Sequence, residues 1–64
     1  MKPGDLMKTD ACLLWNKPYT VSATVVGHLK SNDVVLILEV KPEDAHVMSR
    51  LGNAWIPVSR LRQI

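Results

Sequence analysis

The chain has 64 residues, 47% of them hydrophobic, and a formal net charge of +2. A chain of this length forms one domain at most, here residues 1–64, and domains of this size bury only about 60% of the surface that their unfolded chains expose. The single cysteine, Cys12, excludes an internal disulfide. We therefore expect an aliphatic core to stabilise the fold, with Cys12 as a small buried hydrophobe within it.

No stretch of the sequence approaches the roughly 20 apolar residues of a membrane helix, and no N-terminal apolar run is typical of an export signal. The sequence thus predicts a cytoplasmic protein that does not enter a membrane. Its charges are mostly interspersed, which is typical of an ordinary solvated surface.

The first part of the chain predicts extended structure between turns. Residues 3–5 are turn residues that pass into a short strand, in which we expect Leu6 to contact the core and Lys8 to face water. An apolar run over residues 11–17 ends at Pro18, which excludes helical geometry just before it. Residues 19–27 are rich in β-branched side chains but do not alternate cleanly, so we expect a long irregular excursion with a strand at its end.

The middle of the chain holds the strongest strand signal. Residues 30–33 form a turn, because asparagine tolerates the left-handed conformation and both Asn32 and Asp33 bond to local backbone. Residues 34–40 are apolar on both faces as far as Glu39, so periodicity does not say which face is buried. A strand covered on both sides fits a barrel that folds over itself.

Residues 42–52 allow two interpretations. Pro42 near a first turn, acidic residues after it and Gly52 at the end are signals of a helix. A strand over residues 45–50, a tight turn at 51–53 and a second strand over 54–58 form the rival interpretation, because Gly-Asn between apolar runs indicates a hairpin. We favour the hairpin, partly because of the resemblance described below.

The C-terminal residues complete an all-β pattern. Pro57 cannot donate to a strand ladder and belongs at a strand end or an edge. Residues 58–61 suit one 3₁₀ turn, and residues 62–64 then form a closing strand. The whole pattern predicts a small barrel of about five strands with a single 3₁₀ turn before the last one.

These elements, taken together, resemble a bacterial-type SH3 domain. The resemblance rests on VVGHLK at residues 25–30, DVVLILE at 33–39, GNAWI at 52–56 and the apolar residue Leu61. The opening residues 2–6 are similar to the first strand of many small SH3-like proteins of bacteriophages. The resemblance implies an SH3-like barrel and a non-enzymatic interaction module, in the host cytoplasm if a phage encodes it.

The chain also differs from that family. Ala54 stands where the family has glycine before the tryptophan, Asn32 replaces a turn glycine, and the aromatic pair is missing at residues 44–46. The C-terminal segment is similar to that of eukaryotic SH3 domains, but Arg60 replaces the tyrosine that grips proline-rich peptides. This replacement disfavours a proline-rich ligand.

No residue pattern indicates catalysis, a cofactor or a metal ion. His28 and His46 are separated by a strand and have no cysteine or paired carboxylate at ligand spacing. The serines lie in no nucleophile elbow, and three scattered glycines form no phosphate loop. A tiny SH3-like dihydrofolate reductase has a similar C-terminus, but its polar cofactor-binding residues are absent at 54–56. We therefore expect a protein that is not an enzyme.

Four residues are the candidates for a binding groove: Trp15, Tyr19, Trp55 and Pro57. Exposed tryptophan and tyrosine anchor partners because they supply large, rigid contact area. The alternative is that either tryptophan completes a core that is short of aromatics. The expected partner is an unidentified protein or a second copy of the chain, since small sheets have edge strands open to self-association.

The alternative function is nucleic-acid binding through a modest basic patch. Clustered cations on one face are the electrostatic footprint of a nucleic-acid-binding protein. The candidate residues are Lys8, Lys30, Arg50, Arg60 and Arg62.

Overall fold

The computed structural model describes residues 1–18 and 22–64, which form one antiparallel sheet with a single 3₁₀ turn. The strands are β1 (Leu6–Thr9), β2 (Cys12–Trp15), β3 (Val25–Leu29), β4 (Val34–Val40), β5 (Asp44–Ser49), β6 (Gly52–Pro57) and β7 (Leu61–Gln63), and the 3₁₀ turn is Val58–Arg60. Their order in the sheet is β3-β2-β6-β5-β4-β1-β7. The prediction of an all-β fold with one 3₁₀ turn before the last strand is confirmed.

The sheet has seven strands, so the prediction of about five was wrong. Part of the difference arises in the first excursion, where the strand expected at its end, β3, pairs with a further strand, β2, that was not predicted. Cys12 and Leu14 point inward opposite Leu29 and Gly27, and the register shifts between Leu14 and Trp15. That irregularity disturbs the two-residue alternation, which explains why the sequence pattern did not reveal this hairpin.

Residues 44–57 form a hairpin, and the helical interpretation of residues 42–52 was wrong. β5 and β6 pair without interruption from Asp44 opposite Pro57 to Ser49 opposite Gly52. Gly52 has φ +112°, a value that suits glycine in a tight turn. The Ser49 hydroxyl accepts a hydrogen bond from the Leu51 N–H at 3.1 Å and donates one to the Gly52 carbonyl at 2.9 Å. The turn therefore lies at residues 50–51 and ends at Gly52.

The core lies on one face of the sheet and is aliphatic. Two-residue alternation places side chains from six strands on that face. Its buried apolar members are Met7, Leu14, Leu29, Val35, Ile37, Ala45, Val47, Ala54 and Ile56. Cys12 is only partly buried against this core, so the expectation that it lies fully inside was too strong. The expectation that Leu6 contacts the core was wrong, because Leu6 is 56% exposed and its neighbour Met7 points inward. Neither tryptophan belongs to the core.

The predicted turn at residues 30–33 is confirmed, and it is fixed to the end of β1. Asn32 has φ 69°, which asparagine tolerates better than most residues. The Lys30 N–H donates to the Asp33 carboxylate at 2.9 Å. The Asn32 N–H donates to the Thr9 carbonyl at 2.7 Å, and the Thr9 N–H donates to the Asp33 carbonyl at 2.8 Å.

No helix within residues 1–18 and 22–64 is long and apolar enough to span a bilayer.

Candidate functional site: a groove between β2 and the end of β6

β2 and β6 meet at one point and then separate. Within the described residues the two strands share a single register pair, Trp15 opposite Trp55. Farther along, the Asp10 N–H donates to the Arg60 carbonyl at 2.9 Å and ties the start of β2 to the 3₁₀ turn. Pro57 lies between these two connections and has no N–H to offer a ladder. The chain therefore leaves an opening between the two strands, which we call the β2–β6 groove.

The β2–β6 groove has a volume of about 450 Å³. Most of its lining is apolar, and Leu13 is 48% exposed within it. His28 on β3 lies opposite Leu13 on β2, so these two side chains form one wall of the groove. The lining residues are Ala11, Cys12, Leu13, Trp15, His28, Leu29, Pro57 and Arg60.

An aromatic row continues from the groove across the outer face of the sheet. Trp15 is opposite Trp55 on β6, and Trp55 is opposite His46 on β5. The rings of His46 and Trp55 are stacked, with their centroids 4.8 Å apart and an interplanar angle of 14°. The Lys41 Nζ lies 5.9 Å from the centre of the Trp55 ring, close enough for a cation–π contact. Both tryptophans are half-buried on this face.

The structure brings together three of the four predicted groove residues. Trp15 and Pro57 line the β2–β6 groove, whereas Trp55 lies beside it in the aromatic row. The fourth, Tyr19, lies outside the described residues. Sequence reasoning missed His46 as a partner of Trp55, because cross-strand neighbours depend on a register that the sequence left open.

Arg60 is the charged residue in the described lining of the groove, which contains no carboxylate among residues 1–18 and 22–64. Burial raises the pKa of the Cys12 thiol, while the Arg60 guanidinium acts in the opposite direction; Asp10 and Asp33 raise the pKa further. Cys12 thus lies within range of the positive charge of Arg60 and of the negative charges of Asp10 and Asp33.

The five predicted basic residues either lie in or contact two neighbouring segments, residues 8–10 and 30–33. Lys8 is opposite Arg62 across β1 and β7. Two of the five cations are in ion pairs: Arg62 binds Asp10 with Nε–Oδ1 at 2.7 Å, and the Arg50 Nε lies 3.4 Å from the Asp33 Oδ2. The other three cations, Lys8, Lys30 and Arg60, make no ion pair with any described residue.

In the part of the chain that the structure describes, no three histidine, cysteine or acidic side chains converge as metal ligands would. The chain matches no protein-family model, and the comparisons with curated proteins and with solved structures likewise give no match. The site is therefore interpreted from its own geometry.

Proposed function

We propose that the chain is a small, non-enzymatic interaction module of SH3-like barrel fold that binds a protein partner in the β2–β6 groove. The pairing pattern supports the fold. β1 pairs with both β4 and β7, β4 to β6 form consecutive antiparallel pairs, and the 3₁₀ turn precedes β7. This order is consistent with the SH3-like barrel that the resemblance to bacterial-type SH3 domains implies. We also propose a cytoplasmic location, in a host cell if a phage encodes the chain.

The observation that carries the binding proposal is the apolar concavity beside the tryptophan pair. Its volume of about 450 Å³ falls within the range of about 300–1,000 Å³ that is usual for ligand sites. Trp15 and Pro57 supply rigid walls, and side chains with few rotatable bonds lose little entropy when a partner binds. An extended protein segment that places an apolar side chain between these walls fits such a groove.

A displayed library of random peptides, selected against the wild-type chain, tests this function. Leu13→Gln removes apolar surface from the groove wall, and Leu6→Gln is its matched control because Leu6 is 56% exposed on β1, outside the groove. Losing roughly 1.5 kcal/mol of apolar contact weakens binding about tenfold. We expect this loss in Leu13→Gln and less than a twofold change in Leu6→Gln. Failure to enrich any peptide, or equal binding by both variants, refutes the proposal.

A second copy of the chain is the alternative partner. Light scattering across a concentration series separates the two cases, because self-association raises the apparent mass with concentration. A mass that stays at one chain while peptides bind removes this alternative.

The second candidate function is nucleic-acid binding, and the grouping of the five predicted cations favours it. Lys8, Lys30 and Arg60 have no ion-pair partner among the described residues and are free to contact phosphates. Three phosphate contacts predict that log K falls against log salt with a slope of about −2 to −3. Anisotropy titrations with labelled single-stranded and duplex oligonucleotides at several salt concentrations measure that slope. Absence of binding to DNA and RNA at low salt ends this candidate.

A further inference from the structure

We infer that the β2–β6 groove recognises an extended protein segment in which an acidic side chain lies next to an apolar one. This inference rests on the proposed function and assigns the chemistry of its ligand. The apolar side chain lies against Leu13, Trp15 and Pro57, and the carboxylate pairs with Arg60.

The charges around the groove are the first step. Arg60 is the arginine of its lining, which contains no aspartate or glutamate among the residues that the structure describes. Arg60 makes no ion pair with the described residues, although Arg50 and Arg62 both do. An apolar site with an unneutralised cation at its edge attracts a ligand of the opposite charge and disfavours a cationic one.

The second step is the position of Arg60. Its carbonyl accepts the Asp10 N–H at 2.9 Å, so its backbone is fixed at the end of the groove while its side chain is exposed. The carboxylate of Asp10, whose backbone contacts Arg60, is occupied, because both its oxygens bond to Arg62, at 2.7 and 3.3 Å. Arg60 is therefore available to a carboxylate from outside, and the guanidinium fork suits bidentate binding to such a group.

The third step is the effect of Arg60 inside the groove. Burial raises the pKa of the Cys12 thiol, the Arg60 guanidinium acts in the opposite direction, and Asp10 and Asp33 raise the pKa further; Cys12 and Arg60 line the same opening. A carboxylate that contacts Arg60 directly meets a positive charge that has no ion pair with the described residues. Charge-assisted contacts of this kind are stronger than neutral hydrogen bonds.

Three synthetic peptides test the inference. The first is acetyl-GLVELG-amide, the second is acetyl-GLVQLG-amide, and the third is acetyl-GLVQLG with a free C-terminal carboxylate. Dissociation constants come from amide chemical-shift titrations of the labelled wild-type chain, Arg60→Gln and Arg62→Gln. Arg62→Gln is the matched control because it removes an arginine that is paired with Asp10 and does not line the groove.

We expect the glutamate peptide to bind the wild-type chain five- to tenfold more tightly than the amidated glutamine peptide. The preference falls below twofold in Arg60→Gln and persists in Arg62→Gln. Equal binding of the two amidated peptides overturns the inference, as does a preference that survives Arg60→Gln. Tightest binding by the free-carboxylate peptide also overturns it, because the charge then comes from a chain terminus.

The outcomes separate this inference from the proposed function. If both amidated peptides bind equally and both weaken in Leu13→Gln, the groove binds protein segments but has no acidic preference. If neither peptide perturbs the groove residues, the inference fails, while selection from the random library still decides the proposed function. If a single-stranded oligonucleotide displaces the glutamate peptide at equal concentration in low salt, Arg60 serves phosphates and the inference is refuted.

Discussion

Replacing Ile56 by valine measures how strongly the aliphatic core stabilises the fold. Ile56 is fully buried on β6 between the half-buried residues Trp55 and Pro57. Ile64 provides the matched control, because it is the same residue type and is 71% exposed at the C-terminus. The substitution Ile→Val removes one methylene at each position without altering charge, hydrogen bonding or the preference for extended backbone.

The expected magnitude follows from burial. Withdrawing one buried methylene costs about 0.8 kcal/mol of transfer free energy. The space left behind adds a few tenths if the surrounding side chains do not close over it, which gives a total within the usual range of about 0.5–1.5 kcal/mol. Domains of this size rarely have more than about 3–5 kcal/mol of stability, so Ile56→Val removes roughly a quarter of it. Ile64→Val is expected to stay within about 0.2 kcal/mol, since its side chain remains in water.

Urea denaturation followed by tryptophan fluorescence and by circular dichroism gives the two free energies of unfolding. With a slope of about 1 kcal/mol per molar urea for a small domain, the midpoint of Ile56→Val lies about 1 M below that of the wild type. Thermal unfolding falls by about 4–8 °C for each kcal/mol lost. Equal midpoints for the two variants would refute the assignment of Ile56 to the core. They would also refute the assignment of which face of β6 points toward the core.

Three further predictions concern a turn, an ion pair and the cysteine. Gly52→Ala is expected to cost about 1–2 kcal/mol of stability, because its φ of +112° strains any L side chain. Its control, Gly27→Ala, is expected to stay within about 0.5 kcal/mol, since the added Cβ would meet Leu14 and Leu51 at ordinary distances of 3.5 and 3.6 Å. Urea midpoints test both variants, and equal losses contradict the backbone argument. Asp10→Asn is expected to lower the free energy of unfolding by less than about 1 kcal/mol, because its partner Arg62 is 68% exposed. This loss of stability is expected to be smaller at 500 mM salt than at 20 mM salt, since salt screens exposed charges. A loss that does not change with salt contradicts the ion-pair assignment. Arg60→Gln is expected to raise the pKa of Cys12 further, so that alkylation of the thiol by iodoacetamide slows at pH 8 and the midpoint of its pH profile moves to higher pH. The control Lys8→Gln is expected to leave the rate and the midpoint unchanged. An unchanged rate in Arg60→Gln means that the Arg60 charge does not act on Cys12.

The sequence predicted those parts of the fold in which local chemistry and hydrophobic pattern agree. The turn at residues 30–33 combines Asn32 with Asp33, and both residues take the roles that their chemistry favours. The 3₁₀ turn follows Pro57 and precedes an apolar residue, and the structure has it at Val58–Arg60, within one residue of the prediction. The turn of the β5–β6 hairpin was predicted one residue too late, because the Gly-Asn pair was taken as its centre although Gly52 already pairs with Ser49.

The groove was only partly predictable, since it depends on where two strands stop pairing. Trp15 and Pro57 attracted notice as an aromatic and a proline, but Leu13 and His28 have no local signal. Their position opposite each other follows from the register of a hairpin that the sequence pattern did not reveal. The ion pairs of the basic residues were not predictable either. Arg62 bonds to Asp10, which is 52 residues away in sequence, and no local pattern indicates that contact.

The groove lies where β2 and β6 stop pairing, and this position is the basis on which we propose a binding function for it. A 64-residue chain needs to bury most of its apolar surface to be stable, yet Leu13 is 48% exposed and Trp15 is only half-buried. Single exposed apolar residues such as Val34 and Met48 also occur on the outer face, and they need no explanation. The β2–β6 groove differs because it is concave, because Pro57 prevents a ladder from closing it, and because Arg60 at its end lacks a partner among the described residues. These three features leave apolar area, shape and charge unsatisfied at one place, and a ligand that satisfies all three gains free energy that the folded chain alone does not realise.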